Sequence, residues 1–269
     1  MKNVFGQPSK ILAIAAGALV LVTAIAIAAE KRDARVTQIV HDVKVLPSGA
    51  ASRPASINET VRQGSGVRTG NESRAELTFA DQTLTRLGAN TVFSFEQGGR
   101  NVNLTSGAIL MCLPPEAGSA RISAPAVTAA ISGGIAMAET HKHAWIKLII
   151  IEGQGVVTLK SSGKTLTLTS GQMIALPPGA KEFTKIQNIN LKKLTDKSIL
   201  IRFAKLPQWA WALIEAEVAN QQSAPPPGGL TDPTGFDAID QRAATLPSMM
   251  HGTPTPVPEP SPPPGRRSR

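Results

Sequence analysis

Between residues 36 and 180 the chain alternates short apolar runs with Gly- and Pro-rich breaks, and two runs show a strict period of two. Ala75, Leu77 and Phe79 fall on one face of residues 75–79, and Leu166 and Leu168 on one face of 165–169, with Thr opposite. That is the pattern of a strand buried on one side only. Further apolar runs at 36–45, 84–87, 92–95, 102–104, 108–113, 144–151 and 156–159 are separated by turn formers such as Gly64-Ser65-Gly66, Gly98-Gly99, Gly133-Gly134 and Pro177-Pro178-Gly179. Many short strands at close spacing predict an all-β domain over 36–204: a compact sandwich, a roll or a short β-helix. No long helical period occurs between residues 30 and 204.

Two segments echo one another. Leu104-Thr105-Ser106-Gly107 leads to Leu113-Pro114-Pro115, and Leu168-Thr169-Ser170-Gly171 leads to Leu176-Pro177-Pro178. Each Thr-Ser-Gly predicts a tight turn into a strand that Pro-Pro ends. Two copies are too few for a long solenoid and suggest two related sheets. A single C-terminal helix is expected at 207–221, with Pro207 in the first turn. It carries two apolar stripes, Trp209/Leu213/Ala216 and Trp211/Ile214/Val218.

Both ends differ from this module. Residues 11–29 are apolar apart from one Thr and follow a segment with Lys2 and Lys10 but no acid. They form either a cleaved secretory signal or an uncleaved hydrophobic helix long enough to span a bilayer. Either choice places the bulk of the chain outside the cytoplasm, in the periplasm or anchored in the inner membrane facing it. Residues 222–269 are Pro-rich, including Pro225-Pro226-Pro227 and Pro262-Pro263-Pro264. Such a tail buries too little apolar surface to repay ordering and is expected to be disordered or polyproline II.

Composition narrows the chemistry. The net charge is +9, and the excess lies on residues 30–206, where Lys and Arg are spread singly apart from Lys31-Arg32 and Lys192-Lys193. This predicts a generally basic surface without a focused patch. One Cys excludes a disulfide framework and Cys-rich metal sites. The absence of Tyr and 4% aromatics argue against a base-stacking nucleic-acid surface. Glu139, His141 and His143 would share a face if extended, but the expected role is a solvated strand entry, with no metal and no cofactor. Asp81 with Glu76, or Glu152 with Glu139, would form a catalytic carboxylate pair only if the fold joined them. Cys112, between Met111 and Leu113, is expected to be a buried, inert thiol. No Gly-x-Ser-x-Gly elbow or phosphate loop occurs, so no catalytic residue is assigned.

Residues 64–91, Gly64-Ser-Gly-Val67-Arg-Thr69-Gly-Asn-Glu-Ser73-Arg-Ala75-Glu-Leu77-Thr-Phe79-Ala-Asp81-Gln-Thr83-Leu-Thr-Arg-Leu87-Gly-Ala-Asn90-Thr91, resemble the FecR-domain family. The family pattern is a strand ending in Thr, an alternating strand, an Asp-Gly-Ser/Thr hairpin and a strand ending in Asn-Ser/Thr. Gln82 stands where the hairpin Gly is usual, so a differently built turn is expected. A second block around Gly133-Gly134 is similar to the family's Arg-Gly-Thr element. A third, Glu152-Gly153 followed by Gly171-Gln172, is similar to its Glu-Gly and terminal Gly-Gln turns. The resemblance spans about residues 36–180. It implies an extracytoplasmic, non-catalytic β-domain, with Gly64, Thr69, Ser73, Asp81, Thr83, Asn90, Gly133, Glu152, Gly153 and Gly171 as structural turn residues. Only ten residues precede the apolar run, so direct anti-sigma activity is not expected. The expected role is binding or signal regulation at the cell envelope, through an envelope protein or anionic glycan and without nucleic acid. Membrane contact would run through residues 11–29 if they are uncleaved. The alternative is a basic module that binds glycan, peptidoglycan or an anionic surface.

Overall fold

A computed structural model describes residues 33–96, 98–141 and 145–232. The leader, most of the Pro-rich tail and His143 lie outside the described residues. Among the described residues no helix is long and apolar enough to cross a membrane.

The module is an all-β sandwich backed by a helical layer. One sheet, here sheet A, contains β1 (Ala34–Val40), β4 (Thr60–Val61), β6 (Arg74–Phe79), β7 (Leu84–Leu87), β12 (Gly134–Thr140), β13 (Ile146–Glu152), β16 (Gln172–Leu176) and β17 (Gln187–Asn188). Sheet B contains β2 (Val43–Leu46), β3 (Arg53–Pro54), β5 (Gly66–Thr69), β8 (Val92–Glu96), β10 (Ser119–Ser123), β11 (Val127–Ser132), β14 (Gln154–Leu159) and β15 (Thr165–Thr169). The long strand β9 (Asn101–Leu113) belongs to both. Its first half lies between β8 and β10 in sheet B, and its second half between β7 and β12 in sheet A.

The order across sheet A is β4-β1-β6-β7-β9-β12-β13-β16-β17, antiparallel throughout. Across sheet B it is β3-β2-β5-β8-β9-β10-β11-β14-β15, with β9–β10 the parallel pair. The chain therefore runs largely as a meander of bent strands, most of them half in one sheet and half in the other. The N-terminal strands bend at one end of the sandwich, at His41-Asp42, Gly70, Gly88-Asn90 and Gly107. The C-terminal strands bend at Gly133-Gly134, Gly153 and Gly171. Register puts that second line at the opposite end, because Gly134 pairs with Leu113 while Thr140 pairs with Gly107.

The sequence echo marks one corner at each end. Gly107 (φ +86°) and Gly171 (φ +74°) each carry a strand from sheet B into sheet A. The two copies do not each build a sheet of their own. Both copies thread the same two sheets. In the first copy Gly107 bends one continuous strand, so the runs 102–104 and 108–113 join. Conversely, 36–45 is broken into β1 and β2, because His41 adopts φ +57°.

Two cores explain which runs alternate. Between the sheets lie Leu77, Phe79, Phe93, Phe95, Leu104, Ile109, Met111, Ile122, Ile150 and Leu168. On the other face of sheet A, Leu110, Cys112, Met137, Ile149 and Ile151 pack against helices α1 (Leu191–Lys197), α2 (Ile199–Arg202) and α3 (Gln208–Ser223). Strands covered on both faces lose the polar alternation. This accounts for the unbroken apolar stretches at 108–113 and 148–151.

The helix expected at 207–221 is present as α3, but α1 and α2 precede it and were not anticipated. With seven and four residues, they are too short to show a periodic stripe. Asn190 starts α1 by accepting a hydrogen bond from Lys193 N at 2.9 Å. Ala210 and Ile214 form the buried line of α3, with Trp209, Leu213 and Val218 beside it. Trp211 is instead exposed, and its Nε1 donates to Glu215 Oε1 at 2.7 Å.

Candidate functional site

The ten turn residues gather at the two ends of the sandwich. At the first corner, Thr69 Oγ1 donates to Gly88 O at 2.5 Å and accepts from Thr91 N at 2.9 Å. Thr91 Oγ1 lies 3.1 Å from Ala108 O and accepts from Ala108 N at 3.0 Å. Ser73 Oγ accepts from Asp42 N at 3.0 Å and donates to Asn71 O at 2.8 Å. Asn90 takes φ +53°, a left-handed conformation that Asn tolerates, and its N–H donates to Gly70 O at 2.9 Å. Backbone groups that the bend removes from the ladders are thus satisfied by buried hydroxyls. We expect Thr91→Val, which keeps shape but loses these bonds, to cost about 1–3 kcal/mol in urea unfolding. A loss within error would show that the hydroxyl is dispensable.

At the second corner Gly133, Gly134 and Gly153 have φ of +72°, +89° and +91°. A Cβ on Gly134 would overlap Glu152 O, which explains Gly at a position where the family pattern has Thr. Gly153 N donates to Ser170 Oγ at 3.1 Å, and Gly171 N to Ile150 O at 2.8 Å. Burial, and the nearby Glu217 carboxylate on α3, push the Glu152 carboxyl above its ordinary value. An acid whose folded pKa is raised adds stability below its unfolded pKa, here about 4.5, and loses it as pH rises through the folded value. The stability advantage of Glu152→Gln over the parent should therefore shrink as pH falls from 7 towards 4.5, read as the difference in Tm. An advantage that does not change with pH would refute the raised pKa.

Gly64, Asp81 and Thr83 sit at that same end, on the N-terminal strands. Gly64 N donates to Phe95 O at 2.9 Å. Asp81 Oδ1 accepts from Thr83 N at 2.9 Å, and Asp81 pairs with Arg100 at 3.1 Å. The turn at Gln82 is built without a glycine. Gln82 itself takes the left-handed conformation, φ +66°, and Gln82 N donates to Phe79 O at 3.0 Å. The side-chain cap of Asp81 closes the turn without glycine.

None of the carboxylate pairs considered from the sequence forms. Glu76 bonds Arg86, whereas Asp81 faces Arg100. Glu139 stands opposite Lys147, and Glu152 opposite Ile135 on the far end of the same strands. Glu139 and His141 do share a face, with Oε1 2.7 Å from Nε2. Among the described residues no group of three or more metal-ligating side chains occurs. Cys112 is fully buried, and desolvation pushes its thiol up to about 12.

Two features were not singled out in the sequence. Arg86 is fully buried: Nε donates to Glu76 Oε2 at 2.8 Å, and its terminal nitrogens donate to Leu200 O, Ile201 O and Ala204 O at 2.8–3.0 Å. Its guanidinium lies 4.8 Å from the centre of the Phe203 ring. The second feature is a cleft of about 350 Å³ where the sheets part beside the first corner. Pro125, His141, Trp145, Ile146 and Pro178 line it. The Trp145 ring lies 4.5 Å from the His141 ring and 3.8 Å from Lys147 Nζ.

Residues 65–154 match the family model described as FecR protein. Two crystal structures of a candidate anti-sigma factor from Parabacteroides distasonis align with 14% and 16% identity and TM-scores of 0.42 and 0.43. The alignments cover 49% and 58% of this chain, and 64% and 75% of those chains. No curated protein matches. The family match is narrower than the resemblance over 36–180 and runs from the strand before the first corner to the Glu152-Gly153 turn at the second. Over residues 65–154, then, this chain is similar to the FecR family.

Proposed function

We propose that this chain is an exported, non-enzymatic FecR-domain protein that acts by binding or signal regulation at the cell envelope. The observation that carries the reading is the FecR match over 65–154, joined to how that segment uses its polar side chains. Thr69, Ser73, Asp81 and Thr91 all bond backbone amides at or beside the bends. A polar set used this way makes a rigid scaffold for protein contact, and it leaves these hydroxyls and carboxylates committed to structure. Residues 11–29 supply the export signal or anchor.

The test is cell fractionation with mass spectrometry of the mature N-terminus, followed by photocrosslinking of the full chain in cells. The expected result is envelope localisation with discrete crosslinks to an envelope protein. A cytoplasmic chain, or an exported one that crosslinks nothing, overturns it. The charge of +9 favours a second reading as a binder of anionic glycan. Polysaccharide pull-down across a salt series separates the two, since attraction between exposed charges fades with ionic strength.

A further inference from the structure

The four lateral edges of the two sheets are not equivalent. In sheet A, β4 has two residues, and β17 has two and is followed by Ile189, which bridges to Thr231. In sheet B, β3 is the dipeptide Arg53–Pro54, and Pro54 has no N–H to offer. The remaining edge, β15, has five residues and, among the described residues, pairs with β14 alone. Its sequence, Thr165-Leu166-Thr167-Leu168-Thr169, has no charge, Pro or bulge, the devices that usually blunt an edge.

Which backbone groups point outward follows from the ladder. Leu159 N donates to Lys164 O, so hydrogen-bonded pairs recur at Leu166 and Leu168. Thr165, Thr167 and Thr169 therefore turn their N–H and C=O away from β14. Thr169 N is already taken by Gln172 Oε1 at 2.9 Å. The segment after β16 closes the side of the sandwich with Phe183 and Ile186. Among the described residues it makes no backbone hydrogen bond to β15. In the first copy of the echo the corresponding strand, β9, is paired on both sides within sheet B.

We propose that β15 is a self-association edge whose occupant is the β15 of a second copy, running antiparallel about Thr167. The strand is a palindrome, so a two-fold axis sets Thr167 against Thr167 and Thr165 against Thr169, and matches the leucines facing each core. Thr–Thr cross-strand pairs are favourable. The strand is also neutral within a chain of net charge +9, so two copies meet there without opposing like charges. The pairing forms two bonds between the Thr167 residues and two from Thr165 N–H to Thr169 C=O. The Gln172 side chain withholds two more.

The prediction is tested by light scattering on the full chain in detergent across a concentration series, where a monomer–dimer equilibrium is expected. Thr167→Pro removes only an outward N–H, so it leaves the β14 ladder whole and should weaken the dimer at least about tenfold. Gln172→Ala frees the Thr169 amides and should strengthen it by a similar factor. Cys112 is buried, so an introduced thiol is the accessible one. Thr167→Cys should crosslink on oxidation, because directly opposed Cα atoms lie about 5.5 Å apart. Thr165→Cys, about 13 Å from its counterpart at ~3.4 Å per residue, should not. A chain that stays monomeric at hundreds of micromolar, or a dimer indifferent to Thr167→Pro, overturns the proposal. Such a result would leave the edge to a strand of a different protein.

Discussion

Gly107→Ala is expected to destabilise the domain by about 4 kcal/mol or more, a large share of the ~5–15 kcal/mol typical of a folded protein. Two penalties combine at this position. The backbone lies at φ +86°, which costs an L-residue roughly 1–2 kcal/mol. The added methyl would also overlap Thr91 Oγ1 and Cα and come within 2.8 Å of Thr91 Cβ. That neighbour cannot yield without breaking the hydroxyl bonds that close the corner. Gly49→Ala separates the penalties, since Gly49 has φ +78° and nothing within 4 Å of its would-be Cβ. Urea unfolding of both variants should show the Gly49 change near the conformational cost alone and the Gly107 change several-fold larger. Equal losses would remove the steric account of the corner.

Truncating the buried cation should be nearly as damaging. Arg86→Met leaves the Glu76 carboxylate without its partner at 6% exposure, and deprives the carbonyls of Leu200, Ile201 and Ala204 of their donor. Breaking a buried pair from one side costs about 3–5 kcal/mol, chiefly because the remaining charge is uncompensated. The double variant Glu76→Leu with Arg86→Met should therefore recover part of the loss. Because the acceptors lie at and just beyond the end of α2, the single variant should also become protease-sensitive around residues 198–206. Wild-type resistance there, with Tm lowered by only a degree or two, would mean that the helical layer is held by its apolar contacts alone.

How much of this was visible in the sequence depends on the range of the determining contact. Strands 75–79 and 165–169 were legible because each alternates apolar with polar residues. The runs 108–113 and 148–151 announced strands but not what covers their second face, since α1 and α2 bring only two and three apolar side chains. The corners misled in both directions. Residues 36–45 look like one strand because the apolar pattern carries across His41, whose left-handed backbone leaves no compositional mark. Thr105-Ser106-Gly107 looks like a loop because a bend inside a strand uses the same residues as a turn. The motif positions found their places because turn chemistry is local. Arg86 could not be found that way: its carbonyl partners lie 114 to 118 residues further along the chain, and any carbonyl would serve.

The opposed bends have a mechanical consequence. Were all the strands to fold over at one end, the two layers could gape at the other like the covers of a book. Here the N-terminal strands are hinged at one end and the C-terminal strands at the opposite end, and both halves share the same two sheets through β9. Gaping at either end would tear the covalent fold-over of the other half or unzip the pairing between β9 and β12. The interior is thus locked against partial opening, and the layers should come apart only when the whole domain unfolds.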